Sequence, residues 1–129
     1  MADVNELSER GLRRRKRMLG EAQVDSRMAA AGDFGAPLQH VINAYVYGDV
    51  WERSGLSDQI RSLIMLAITA ASGKPAEFRV HMQGARANGC TPAQVQDLLL
   101  LVAMYCGIPA AIEPNGIAAE IFGETPPTG

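Results

Sequence analysis

A chain of 129 residues with 47% hydrophobic and 20% charged residues has the make-up of a single domain, residues 1–129, and is neither disordered nor fibrous. Twelve Lys and Arg against fourteen Asp and Glu leave a formal charge of −2, where a dedicated nucleic-acid-binding domain would be basic. The longest unbroken apolar run, Leu98–Cys106, is about half the length of a membrane span. Met1–Glu9 carries Asp3, Glu6 and Glu9 and has no apolar core, so it does not read as a secretory signal, and the expected compartment is the cytoplasm. Thiols stay reduced there, which leaves Cys90 and Cys106 free.

Aromatic residues are scarce at 5%, and no β-branched run alternates with period two. The chain is therefore predicted to be all-α, with about seven helices counting short ones. The first runs over Val4–Leu19, with a loose apolar stripe of Val4, Leu7, Leu12, Met18 and Leu19 interrupted by Gly11. A short helical turn follows at Val24–Ala31. Asp33-Phe34-Gly35-Ala36-Pro37 reads as the start of the next helix, with Pro37 tolerated in a first turn. Leu38, Val41, Ile42, Tyr45 and Val46 follow at helical spacing and define its apolar face.

Gly48–Gly55 is a loop that carries Trp51, the one tryptophan. Ser57 can cap the next helix, with Asp58 in its first turn and an apolar face of Ile60, Leu63, Ile64, Ala67, Ile68 and Ala71. Pro75 starts another, which stops at Asn88-Gly89. Thr91-Pro92-Ala93-Gln94 is the clearest local signal, a capping box with Thr as N-cap and Gln at N3. The helix that follows is apolar almost all round from Leu98 to Cys106, as a central core helix or an interface helix would be. A last helix spans the region from Pro109 to Phe122. Pro114 lacks the N–H that would bond the Ala110 carbonyl, and Gly116 costs about 1 kcal/mol relative to Ala. A kink, or a start delayed to Pro114, is predicted there. The tail Glu124–Gly129 reads as frayed.

Several constellations can carry chemistry. Glu77 and His81 sit at i and i+4, so both side chains leave one helix face. A carboxylate beside an imidazole raises its pKa and fixes its tautomer, as a proton donor requires. The same spacing describes an ordinary helix-surface pair, which is the commoner occurrence. His40 is the other histidine, and no Cys or carboxylate cluster completes a metal ligand set, so no metal is expected. Arg13-Arg14-Arg15-Lys16-Arg17 could form a phosphate-binding patch, but consecutive helical residues spread around the cylinder, and a solvated or intersubunit helix fits better. Arg61 lies on the polar edge of an apolar helix, where it could grip a carboxylate or form a structural ion pair. Gly-rich phosphate loops and a Gly-x-Ser-x-Gly elbow are absent.

Further segments carry a family resemblance. They are Gly11-Leu12-Arg13-Arg14-Arg15 with Leu19-Gly20-Glu21 and Val24-Asp25, then Tyr47-Gly48-Asp49-Val50-Trp51 with Gly55-Leu56. Arg61-Ser62-Leu63-Ile64, Glu77-Phe78-Arg79-Val80-His81 and Asn88-Gly89-Cys90-Thr91 follow, and Tyr105-Cys106-Gly107-Ile108-Pro109-Ala110-Ala111 closes the series. In this order and spacing the chain resembles the carboxymuconolactone decarboxylase family, part of the AhpD-like helical superfamily. The resemblance implies a small AhpD-like helical bundle that assembles into a ring-like homo-oligomer, commonly a hexamer. It implies a small lactone or carboxylic acid substrate and no cofactor.

The family's type reaction is loss of CO₂ from 4-carboxymuconolactone in protocatechuate breakdown. The departing carboxylate leaves its electrons conjugated to the lactone carbonyl, a donor there stabilises the dienolate, and a general acid protonates ring carbon. Carried over by resemblance, His81 is the proton donor and Glu77 orients it. Arg61 receives a substrate carboxylate, and Trp51 walls the pocket. AhpD-type peroxidases use a Cys-x-x-C pair on the helix that carries the histidine, and Glu77–His81 contains no cysteine. The chain departs from the decarboxylases at Gly116, where they continue with a second histidine. That departure leaves two alternatives, a relative acting on another small acid or lactone, and a non-catalytic oligomeric binding protein.

Overall fold

The computed structural model describes residues 3–124, and the regular structure among them is helical throughout. Two compact units divide it at Ser57 and Asp58. The tail expected to fray lies outside the described residues from position 125 onward.

The first unit holds α1 (Val4–Leu19), α2 (Glu21–Val41), a π-helical segment Ile42–Tyr47 and a 3-10 turn Val50–Glu52. Asp3 caps α1 by accepting from the Asn5 N–H at 3.3 Å. Alpha-helical geometry breaks inside α2 at Gly32, whose φ of 60° lies in the left-handed region that glycine adopts without strain. The two helical stretches read from the sequence on either side of Gly32 therefore meet end to end.

Two glycines let α1 cross the π-helical segment at backbone contact. A Cβ on Gly11 would overlap the Asn43 carbonyl, and one on Gly48 would overlap the Leu7 carbonyl. Arg10 Nε donates to the Gly48 carbonyl at 3.1 Å beside this crossing. Arg15 is buried and donates to Gln39 Oε1 at 2.7 Å and Asn43 Oδ1 at 3.1 Å. Its guanidinium also lies 5.9 Å from the centre of the Tyr47 ring, which stacks on Trp51 at 6.0 Å. Arg14 pairs with Glu52 at 3.3 Å, and Lys16 with Asp25 at 3.2 Å. Much of the basic run is thus spent inside its own unit.

The face predicted from Leu38, Val41, Ile42, Tyr45 and Val46 is helical and is turned mostly outward. Leu38, Val41, Tyr45 and Val46 are exposed, and the segment buries Asn43, Ala44 and Tyr47 instead. The close crossing selects small and hydrogen-bonded residues over the larger apolar ones.

The second unit holds α3 (Asp58–Ala71), α4 (Pro75–Ala87), α5 (Pro92–Cys106) and α6 (Ile108–Gly123). Its core joins Leu66 and Ala70 of α3 to Phe78 and Met82 of α4, Val95 and Leu99 of α5, and Ile117 and Ile121 of α6. The predicted capping box is present at the start of α5. Thr91 Oγ1 accepts from the Gln94 N–H at 3.2 Å, and Gln94 Oε1 accepts from the Thr91 N–H at 2.9 Å.

Alpha3 forms as predicted, and one expectation for this unit fails. The apolar face read on α3 points largely outward, with Ile60, Ile64 and Ile68 exposed, while Leu66 and Ala70 are buried with Arg61, Ser62 and Thr69. The kink or late start predicted near Pro114 does not occur, since α6 runs unbroken from Ile108 to Gly123. Ala111, Pro114, Ile117, Ala118 and Ile121 all bury one side of α6, and that packing offsets the local cost of the proline. Gly116 faces outward, where a Cβ would meet no atom within 4 Å.

Two glycine substitutions should have opposite signs. Gly11→Ala should lose about 1–3 kcal/mol through overpacking, and Gly116→Ala should gain up to about 1 kcal/mol of helix propensity. Denaturant midpoints of the two variants check both; a tolerated alanine at position 11 would contradict the close crossing.

Candidate functional site

The second unit carries Arg61, Glu77 and His81 on two adjacent helices. Alpha3 and α4 form an antiparallel hairpin closed at Gly73, where the Lys74 N–H bonds the Thr69 carbonyl at 2.9 Å. Three contacts clasp its open end. Asn88 Nδ2 donates to Ser62 Oγ at 3.0 Å, Gln59 Nε2 donates to the Gly89 carbonyl at 2.9 Å, and the Cys90 thiol lies 3.5 Å from the Gln59 carbonyl.

This register decides where the candidate residues stand. Ser62 faces Asn88 across the hairpin, so Arg61 lies about two helical turns, roughly 11 Å, along the axis from the level of His81. Arg61 was read from the sequence as a polar-edge residue; it is buried, beside Ser62. A buried guanidinium is held by its surroundings and loses little freedom when it receives a carboxylate.

Glu77 is exposed in the first turn of α4, where the helix dipole favours a carboxylate, and Pro75 opens that turn. His81, one turn further along, is half-buried. The structure thus puts the predicted pair on one helix face, open to solvent at the carboxylate end. The far side of α4 is tied to α6. Arg79 pairs with Glu120 at 2.9 Å, and Arg86 donates to the Ile121 carbonyl at 3.0 Å and the Glu124 carbonyl at 2.7 Å. The Arg79 hydrogen bond holds the Glu120 carboxyl below its ordinary pKa. Trp51 belongs to the first unit, where it is buried against Tyr47.

Three hollows of the second unit lie elsewhere. A notch of about 130 Å³ at the α3–α4 turn is lined by Thr69, Lys74, Pro109 and Glu113. A groove of about 590 Å³ separates α3 from α5, and another of about 520 Å³ separates α5 from α6. None of these three is lined by Arg61, Glu77 or His81. Gly116 does not line them either, so its missing side chain does not widen any of the three.

Cys90 is buried and Cys106 exposed, and the two are not bonded to each other. Burial pushes the Cys90 thiol above its ordinary pKa, which suits a packing residue and not a nucleophile. The residues that sequence reasoning missed are the clasp itself, Gln59, Ser62 and Asn88. Asn88-Gly89 read as a helix stop and as part of the resembling segments, and no local pattern ties an asparagine to a serine on the preceding helix.

Comparison with known proteins bears on the chemistry. The family model described as "Carboxymuconolactone decarboxylase family" matches residues 36–120. The chain is 34% identical over 112 residues to the 4-carboxymuconolactone decarboxylase of Acinetobacter baylyi, covering 87% of this chain and 84% of that protein. It is 35% identical over 107 residues to nitrosuccinic acid decarboxylase npaB of Metarhizium robertsii, covering 83% and 75%.

Removing the clasp should loosen the hairpin. Asn88→Ala leaves the buried Ser62 hydroxyl without this donor, at a cost of about 1–3 kcal/mol, and the thermal midpoint should fall by several degrees. An unchanged midpoint would show that the clasp does not hold the register.

Proposed function

The chain belongs to the carboxymuconolactone decarboxylase family, and from that premise we propose that it is a cofactor-free decarboxylase of 4-carboxymuconolactone or a closely similar acid, with His81 as proton donor. Both relatives are named as decarboxylases, which supports the reaction class. The observation that carries the residue assignment is the placement of Glu77 and His81 one turn apart on one face of α4, inside the segment that the family matches.

The substrate itself supplies the electron sink. Its C–COO⁻ bond breaks, CO₂ leaves, and the bonding pair moves into the conjugated lactone as a dienolate. His81 then gives a proton to ring carbon and is reprotonated from solvent, so one proton is consumed for each CO₂ released. Glu77, one helical turn before His81, orients the imidazole and sets which nitrogen faces the substrate. Arg61 binds a substrate carboxylate and holds the molecule in line with His81. The protein acts in the cytoplasm as a homo-oligomer, a hexamer in this reading, and the outward apolar faces of α3, α5 and α6 support self-association.

A second reading has a specific observation in its favour. The relative from Metarhizium robertsii is named for nitrosuccinic acid, in which a nitro group can take the electrons that a lactone takes in the first reading. Gly116, where the resembling decarboxylases have a histidine, is compatible with a substrate other than the lactone.

The test is CO₂ release from 4-carboxymuconolactone and from nitrosuccinic acid. His81→Ala should lower kcat about 10²–10⁴-fold on the preferred acid. Glu77→Gln should lower it less, and Arg61→Ala should act mainly on KM. Circular dichroism confirms that each variant is folded. Wild-type turnover by His81→Ala, or no CO₂ from either acid, would overturn the proposal.

A further inference from the structure

One level of the α3–α4 hairpin fixes the next. Ser62 meets Asn88 across it at 3.0 Å. Thr69 stands seven residues after Ser62 on α3, and His81 seven residues before Asn88 on α4. The helices are antiparallel, so both steps lead toward the turn at Gly73 and cover the same length, about 10.5 Å. Seven residues also return a side chain to within about 20° of its starting direction. Thr69 therefore faces α4 as Ser62 does, and His81 faces α3 as Asn88 does, at one level of the hairpin.

Threonine is a costly choice for that position. Thr69 is 5% exposed, and valine has nearly the same shape without a hydroxyl to bury. The hydroxyl proton is spent within α3, since Oγ1 donates to the Met65 carbonyl at 2.7 Å and lies 3.3 Å from the Leu66 carbonyl. Back-bonding of this kind does not stabilise a helix. It does settle the polarity of the oxygen. With its proton committed, Oγ1 can only accept, and among the described residues no donor reaches it.

We propose that Thr69 is a positioning residue for His81, its oxygen accepting the N–H of the imidazole nitrogen turned away from the substrate. The proposal rests on the reading of His81 as proton donor and adds what aims it. The imidazolium carries two N–H groups. One gives its proton to substrate carbon, and Thr69 holds the other. As the new C–H bond forms, the N–H bond breaks and the nitrogen keeps the electron pair. The neutral imidazole is left with its remaining proton on the Thr69 side. Its bare nitrogen faces the substrate and takes the next proton from solvent. Glu77 acts on the same ring from the exposed end of α4, where water and salt screen it, and Thr69 acts from the buried side.

The tautomer of His81 gives a direct test. The chain has two histidines, His40 and His81, so ¹⁵N-histidine labelling gives two imidazole spectra, and His81→Gln identifies which is which. Neutral His81 should hold its proton on one nitrogen in the wild type. Thr69→Val should spread it over both nitrogens. Thr69→Ala should do the same, which covers a valine variant that fails to fold. Thr69→Ser, which keeps the hydroxyl, should restore the single tautomer. On the preferred acid Thr69→Val should lower kcat about tenfold with KM unchanged, the loss of one hydrogen bond in the transition state, and Thr69→Ser should recover most of it. A single tautomer that survives in Thr69→Val or Thr69→Ala overturns the proposal, and so does a wild type whose proton is shared between both nitrogens. The tautomer is read without substrate, so this result is separate from whether either acid loses CO₂.

Discussion

The register of α3 against α4 governs the geometry of the second unit. Four helices share one core there, and α3 and α4 meet at a turn too tight to absorb a slip. Slipping by one helical turn would move Arg61 about 5 Å relative to His81 and would exchange which α3 residues face Phe78 and Met82. Apolar packing alone tolerates such slips poorly but does not forbid them. The directional contacts at the open end do, because Ser62 has one hydroxyl and Asn88 one amide to offer it. A small acid held by Arg61 and protonated by His81 would depend on that spacing being kept.

The same unit carries more apolar surface than it can enclose. Alpha5 buries Val95, Leu99 and Val102 and leaves Leu100, Leu101 and Met104 open. Alpha3 buries Leu66 and Ala70 and leaves Ile60, Ile64 and Ile68 open. Alpha6 does likewise, with Ile117 and Ile121 inside and Ile108 and Ile112 outside. A 72-residue unit has a high ratio of surface to volume, and each helix can turn only one side to a common core.

That surplus also explains what could be read from the sequence and what could not. Helix boundaries were legible wherever a residue has a local physical job. Thr91 and Gln94 satisfy orphan backbone groups, and Pro75 and Pro92 stand where no N–H is needed. Periodicity correctly marked Ile60–Ala71 and Leu38–Val46 as helical and grouped their large apolar residues on one side, which proves to be mostly the exposed side. An apolar stripe reports that a side is to be covered and carries no information about what covers it. Pro114 misled for a related reason, because its local penalty is visible in the sequence and the compensating packing of Ala111, Ile117 and Ile121 is not. Of the candidate site, the Glu77–His81 pair was legible as an i, i+4 spacing. The clasp around Ser62 was not, since it joins residues on different helices. The burial of Arg61 likewise depends on the tertiary fold.

Proton delivery by His81 is the step on which the functional account turns, and deuterium labelling reads it most directly. Decarboxylation of 4-carboxymuconolactone in D₂O by the wild type should place one deuteron on a single face of the product carbon, because a fixed imidazolium approaches from one side. In His81→Gln the residual reaction should be slow and should label both faces, as solvent supplies the deuteron. A His81→Gln enzyme that keeps both the wild-type rate and single-face labelling would contradict the account.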